Sequence, residues 1–412
     1  MSEAIHRTTP ALLRSGVHAS AWPELAPALV WVGAFALLGG MPVSHDVVWQ
    51  LWIARQMNAG IGLYSWIMEV NPPLWYWIAI PVDRFAAVTG LAPEHIMVGA
   101  VFLYLSLSLV ITGALIRDWP ARHRAALFGG MLFATLYVCL SDFAQREHQS
   151  LLGAIPYALL IARRVEGRPV SWPLALAVGV LAAPVIALKH YFVLIPVLLE
   201  AWLIWEQRRR WRPLRPETLA LVTGALLYGA AVLIWAPVYL TDLVPLLQLA
   251  YGDLRMVTFP ILVNRMTLAL LPAALFFWAF RQELAAPTKA MLLLVAAYCA
   301  SYFLQFKGWA YHMDPVIGCL LLALLLHLVL RDGSRRLRWT EMALAAVIPV
   351  IALAHVYVEG PYTNRLAPVA ERLLAPAHPG DTAMLLTTKP TKIWPMNESL
   401  GLEWPSRYFH FW

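Results

Sequence analysis

Long apolar runs separated by short polar turns dominate the chain. Runs at 24–43, 96–116, 125–141, 148–163, 171–188, 191–206, 218–239, 259–280, 288–306, 313–330 and 340–358 predict eleven membrane-spanning helices. A straight crossing takes about 20 residues, so several of these are short for one. The run from Leu74 to Leu91 is broken by Asp83-Arg84 before it reaches that length, and it is read as juxtamembrane. Residues 44–95 thus form a long outer loop. Within it, Asp46 to Ala59 suit a helix: Asp46 is favoured at the positive N-terminal end, and Asn58-Ala59-Gly60 supply the stop. Trp49, Trp52 and Met57 predict that this helix lies at headgroup level. Asn71 precedes a proline and is biased to extended backbone, while Pro73 can open the next helix because its missing N–H costs nothing there. Residues 1–358 make one transmembrane domain. Residues 359–412 are less apolar and punctuated by prolines, with a short strand expected over Thr382 to Thr388. They read as a small extracytoplasmic segment, and the aromatic run from Tyr408 to Trp412 leads to the expectation that the natural protein continues beyond it.

Composition narrows the class. With 412 residues, 60% of them hydrophobic and 13% charged, the chain is an all-α polytopic membrane protein. Its net charge of +7 does not point to nucleic acid, because the arginines gather in short loops between apolar runs. Cys139, Cys299 and Cys319 sit inside apolar runs without metal-ligand spacing and read as small buried hydrophobes. No residue pattern indicates a divalent metal or another cofactor.

Charge distribution separates the two ends of the spans. Arg7 and Arg14, Arg117 to Arg124, Arg163 to Arg168, Arg208 to Arg215, Arg281 and Lys289, and Arg331 to Arg338 share one side, which the positive-inside rule makes cytoplasmic. The N-terminus is then cytoplasmic and the C-terminal segment periplasmic. The opposite side collects the 44–77 loop, Asp142 to His148, Lys189-His190-Tyr191, the 240–258 loop and Lys307 to Asp314. Acids, bases, imidazoles and aromatics mixed at helix ends are candidates for a site.

Each group carries a chemical and a plainer reading. Asp46 is either a general base for an acceptor hydroxyl or a helix-start carboxylate, with Glu69 the second candidate base and His45 beside Asp46 able to tune it. Arg146 either grips a phosphate with Glu147 orienting it, His148 crowding the same turn, or makes a structural ion pair. Lys189 with His190, and Lys307 with Trp309, Tyr311 and His312, place a point charge beside rings that suit a phosphate and a sugar or isoprenoid; snorkelling lysines in an aromatic belt are the alternative. Tyr251, Asp253 and Arg255 lie in a loop long enough for a lid, or in a mere connector, and Glu200 is a helix-packing partner inside a span.

The order His45-Asp46, Tyr64, Asn71 and Pro72-Pro73-Leu74 after a first span resembles the GT-C superfamily of membrane glycosyltransferases, near the protein O-mannosyltransferases and the lipid A aminoarabinose transferases. The Arg146-Glu147-His148 and Lys307 to His312 runs look like those of a bacterial branch. The resemblance implies an inverting transfer of a sugar from a polyprenyl-phosphate donor to a glycan, lipid or protein acceptor at the periplasmic face of a bacterial inner membrane, among membrane lipids. It maps Asp46 onto the early-loop catalytic acid, although His45-Asp46 stands where mannosyltransferases carry Asp-Glu. The rival class, a transporter or flippase of lipid-linked saccharides, predicts inverted repeats and midplane charges; the sequence shows neither.

Overall fold

The computed structural model describes residues 32–36, 39–40, 42–253, 265–331, 337–360, 372, 374–384, 397–398 and 400–408. Most of the first expected span, Arg255 and residues 385–388 of the expected strand lie outside them. The outer loop contributes α1 (His45–Asn58), α2 (Leu74–Trp77) and α3 (Ile80–Thr89). The bundle follows as α4 (Pro93–Leu115), α5 (Ala121–Leu132, extended by a π-helical turn, Phe133–Val138), α6 (Arg146–Val165), α7 (Trp172–Ala187), α8 (Leu194–Gln207) and α9 (Pro216–Trp235). It closes with α10 (Val244–Asp253), α11 (Arg265–Ala279), α12 (Ala286–Gln305), α13 (Asp314–Leu330) and α14 (Trp339–Glu359). Among the described residues, five helices are long and apolar enough to cross a membrane: α4, α9, α12, α13 with its preceding turn, and α14. The chain is a multi-pass helical membrane protein.

Helix α6 is the hub. Every residue from Arg146 to Ala162 is buried, because α4, α7, α8, α12 and α13 all pack on it. An all-round buried helix tolerates no large side chain where a neighbour crosses closely. At Gly153 an added Cβ would lie 2.9 Å from the Ala182 Cα of α7, and at Gly179 it would lie 2.6 Å from the Glu217 carbonyl oxygen of α9. Small residues let the three backbones approach, as membrane helices do without a hydrophobic drive between them. Helix α9 buries just 6% of its apolar stretch and offers the rest to lipid.

Three expectations change. Helix α1 is no surface helix with tryptophans in the headgroups: Val47 to Ala54 are buried, and Trp49 and Trp52 stack at 4.6 Å. Helices α3 and α4 cover it, so its rings face protein. The expected 240–258 loop is helical through Asp253, as a π-helical turn (Tyr239–Leu243) running into α10. Of the C-terminal strand, Thr382 makes an isolated bridge with Glu403.

The arginine-rich rim is not merely a topology signal. Arg164 donates two 3.1 Å bonds to the buried Glu217, and Arg163 and Arg168 both hold Asp118. Glu200 accepts from Tyr157 Oη at 3.0 Å, from Trp211 Nε1 at 3.2 Å and from Arg215, so it packs α8 against α6 and the α9 start.

Candidate active site

The site lies at the end of the bundle where α6 begins and where the α7–α8 and α12–α13 turns lie. Each turn has a local cause. Lys189 is extended (φ −140°, ψ 134°) and ends α7 before a short 3₁₀ turn, His190–Val193. Phe306 (φ 54°) and Gly308 (φ 68°) are left-handed, which stops α12 and reverses the chain around Lys307; glycine takes this conformation at no steric cost. In the outer loop Tyr64 is also left-handed (φ 71°), and its hydroxyl donates to the Asn71 carbonyl at 2.6 Å.

Glu69 organises that loop. Its Oε1 accepts from the backbone N–H of Val70 (2.7 Å) and Asn71 (3.0 Å) and from Asn71 Nδ2 (2.8 Å), while Oε2 accepts from Trp49 Nε1 at 2.5 Å. The carboxylate is 4% exposed, and all four bonds are charge-assisted. Asn71, so oriented, turns its Oδ1 to Arg146 Nη1. The Arg146 guanidinium is also held 4.5 Å from the centre of the Trp75 ring. A relay therefore runs from Trp49 through Glu69 and Asn71 to Arg146.

A second cluster sits beside it. Glu147 pairs with Lys189, whose Nζ also donates to Gln305 Oε1 at 3.2 Å and lies 3.2 Å from His312 Nε2. This links α6, the α7–α8 turn, α12 and the turn before α13. Lys307 stands 4.6 Å from the Trp309 ring centre. Burial pushes the Lys189 ammonium down to about 8, with Glu147 pulling it up and Arg146 opposing that pull. Burial, followed by the charges of Lys189 and Arg146, takes Lys307 down to about 7. Three cations crowd one place, and an anion there would relieve all of them.

These groups wall a cavity of about 760 Å³, lined among others by Asn71, Arg146, Lys189, His190, Lys307 and Trp309. A second cavity of about 810 Å³, between α7, α8 and α9, shares Pro72, Lys189, His190 and Tyr239 with it. Its other walls are mostly apolar, including Ala183, Ile186, Val193, Leu221, Ala225, Val232 and Leu233, and Glu200 and Thr218 stand in its lining away from the lysine.

The remaining candidates stand off these walls. Asp46, in the first turn of α1, pairs with His45 (Nε2 to Oδ1, 3.3 Å) and does not line the cavity, though its charge raises Lys189 and Lys307. Glu69, Glu147 and His312 stand behind residues that do. Tyr311 packs on His312 at 4.4 Å, with Lys189 Nζ 5.6 Å from its ring. His148 turns away: its Nδ1 accepts from the Ala144 N–H at 3.0 Å and its ring lies against Phe143. Gln305 and Tyr239 line the cavity without having stood out in the sequence; each ends an apolar run beside a polar turn, the one available signal. Among the described residues, no group of three or more His, Cys, Asp or Glu side chains is arranged to hold a metal ion.

Comparison with known proteins finds one architectural counterpart. ArnT from Cupriavidus metallidurans, whose crystal structure was determined bound to undecaprenyl phosphate, superposes with a TM-score of 0.54 over 94% of this chain and 86% of that one, at 13% identity. The chain thus has a GT-C-like membrane glycosyltransferase fold. In sequence, a membrane-complex component from Anaeromyxobacter dehalogenans, one of the polypeptides of its NADH-quinone oxidoreductase, is 25% identical over 158 residues. That match spans 29% of this chain and 38% of the oxidoreductase polypeptide. No family model matches.

Proposed function

We propose that this protein is an inverting glycosyltransferase that moves a sugar from a polyprenyl-phosphate donor to a glycan, lipid or protein of the cell envelope. In this reading eleven spans hold the site at the periplasmic face of the inner membrane. One observation carries it: a cavity with three cations shares a wall with an apolar cavity open to the lipid-facing helix α9. A phosphate with an isoprenoid tail has that polarity, and the ArnT neighbour was solved with such a lipid.

The chemistry follows from the charges. The acceptor oxygen attacks the anomeric carbon from the face opposite the phosphate; the bond from that carbon to the phosphate oxygen breaks, and its electron pair leaves with polyprenyl phosphate. Negative charge grows on the leaving phosphate, where Arg146, Lys189 and Lys307 are already oriented, so they stabilise the transition state more than the ground state. Asp46 takes the acceptor proton, a role supported by its place at the start of α1 and its electrostatic reach to both lysines. Glu69, with every acceptor bond taken by the loop, aims Asn71 and hence Arg146. The reading is tested by titrating undecaprenyl phosphate into purified protein in lipid, with wild type beside Arg146→Gln and Lys307→Gln. Saturable binding weakened about tenfold or more by each variant is expected, from the roughly 1.5–3 kcal/mol of a charged hydrogen bond. Equal binding by all three would overturn it.

A further inference from the structure

The loop that carries Glu69 is held from outside by a part of the chain remote in sequence. The Met68 N–H, one residue before Glu69, donates to the Arg407 carbonyl at 2.8 Å, and Met68 and Tyr408 form an isolated parallel bridge. Arg407 Nη2 donates to the Ser65 carbonyl at 3.3 Å. At the other end of the contact, Arg55 of α1 grips the Glu398 carboxylate with both guanidinium nitrogens, at 2.8 and 3.4 Å. Between these grips Trp404 is buried in the main core, with its Nε1 bonded to the Tyr408 carbonyl at 2.8 Å, and Leu402 and Asn397 are buried as well.

The placement has a physical consequence. Residues 61–71 have few ladder bonds of their own, so the loop must be fixed by what it touches. It is pinned inside by Glu69 on Trp49 and outside at Ser65 and Met68. We propose that residues 397–398 and 400–408 form a positioning strap, which by gripping Ser65, Met68 and Arg55 holds Glu69 and Asn71 in the register that aims Arg146. The strap residues act through the loop and touch no reacting atom. The kinetic part of this inference rests on the glycosyltransferase reading; the structural part does not.

Two variants break the strap at separate points: Glu398→Arg sets like charges against Arg55, and Trp404→Ala removes the buried anchor. Glu398→Gln keeps an acceptor for Arg55 and serves as the conservative control. Amide hydrogen exchange across 64–71 is measured on the full chain in lipid, beside kcat and donor KM. The strap predicts exchange about tenfold faster in both disruptive variants and near wild type in Glu398→Gln, with kcat about tenfold lower and donor KM little changed. A merely structural defect would lower active fraction and thermal stability without selective exposure of 64–71. Unchanged exchange in both disruptive variants overturns the strap, as does faster exchange with unaltered kcat. Absence of turnover in wild type would count against the glycosyltransferase reading, and the exchange data would still decide whether the grip exists.

Discussion

Glu69→Gln separates a carboxylate that positions from one that takes a proton. In the structure Oε1 serves three N–H donors and Oε2 serves Trp49 Nε1. A glutamine keeps its carbonyl toward the three and points an NH₂ at the indole N–H, so one bond is lost, two donors oppose each other and the remaining bonds lose their charge. A hydrogen bond to a charged group is worth about 1.5–3 kcal/mol, and about 1.4 kcal/mol is a tenfold change in rate, so kcat should fall roughly 10- to 100-fold as Asn71 loosens its hold on Arg146. Asp46→Asn removes the proposed base outright and should cost more, about a thousandfold. The assay is sugar transfer from a polyprenyl-phosphate sugar by purified protein in lipid, with the pH–rate profile recorded for both variants. Glu69→Gln should leave the acid side of that profile where wild type has it, because the proton acceptor is intact. If Glu69→Gln abolishes that side of the profile while Asp46→Asn retains it, the roles assigned to the two carboxylates are reversed.

Two further outcomes follow from the cavities. The donor's phosphate diester does not titrate near neutrality, whereas Lys307 at about 7 and Lys189 at about 8 do, and each helps while protonated. Donor affinity should therefore be highest below about pH 7 and weaken about tenfold per lysine lost as pH rises through those values; Lys307→Arg, charged throughout, should flatten the earlier part of the fall, read by KM against pH. Gly229 lines the apolar cavity and an added Cβ would meet nothing within 4 Å, so Gly229→Trp can fold and fill the space; KM should rise about tenfold for long-chain donors and stay near wild type for donors with very short tails.

How much of this was legible in the sequence depends on distance along the chain. The apolar runs located α4 to α9 and α11 to α14 within a few residues where described, because burial in lipid or protein demands long uninterrupted hydrophobic stretches. The turns carrying Lys189 and Lys307 stood out because cations beside aromatics at helix ends are local signals, and the fold brings both to one cavity with Arg146. What could not be read was pairing between distant residues. Nothing near Glu69 announces that Trp49 and Asn71 consume its oxygens, nothing near His148 that Ala144 and Phe143 hold it away from the cavity, and nothing in α1 that its tryptophans face protein. A tryptophan suits a headgroup belt and a protein interior equally, and the deciding partners, α3 and α4, lie tens of residues away.

The central claim is sugar transfer with inversion from a polyprenyl-phosphate donor. Its most direct test incubates wild type and Asp46→Asn in lipid with a defined set of polyprenyl-phosphate sugars and envelope acceptors, measuring released polyprenyl phosphate and the anomeric configuration of the product. Stoichiometric release by wild type alone is expected, with the configuration opposite to that of the donor. Retained configuration, equal turnover by Asp46→Asn, or no release from any donor would contradict it.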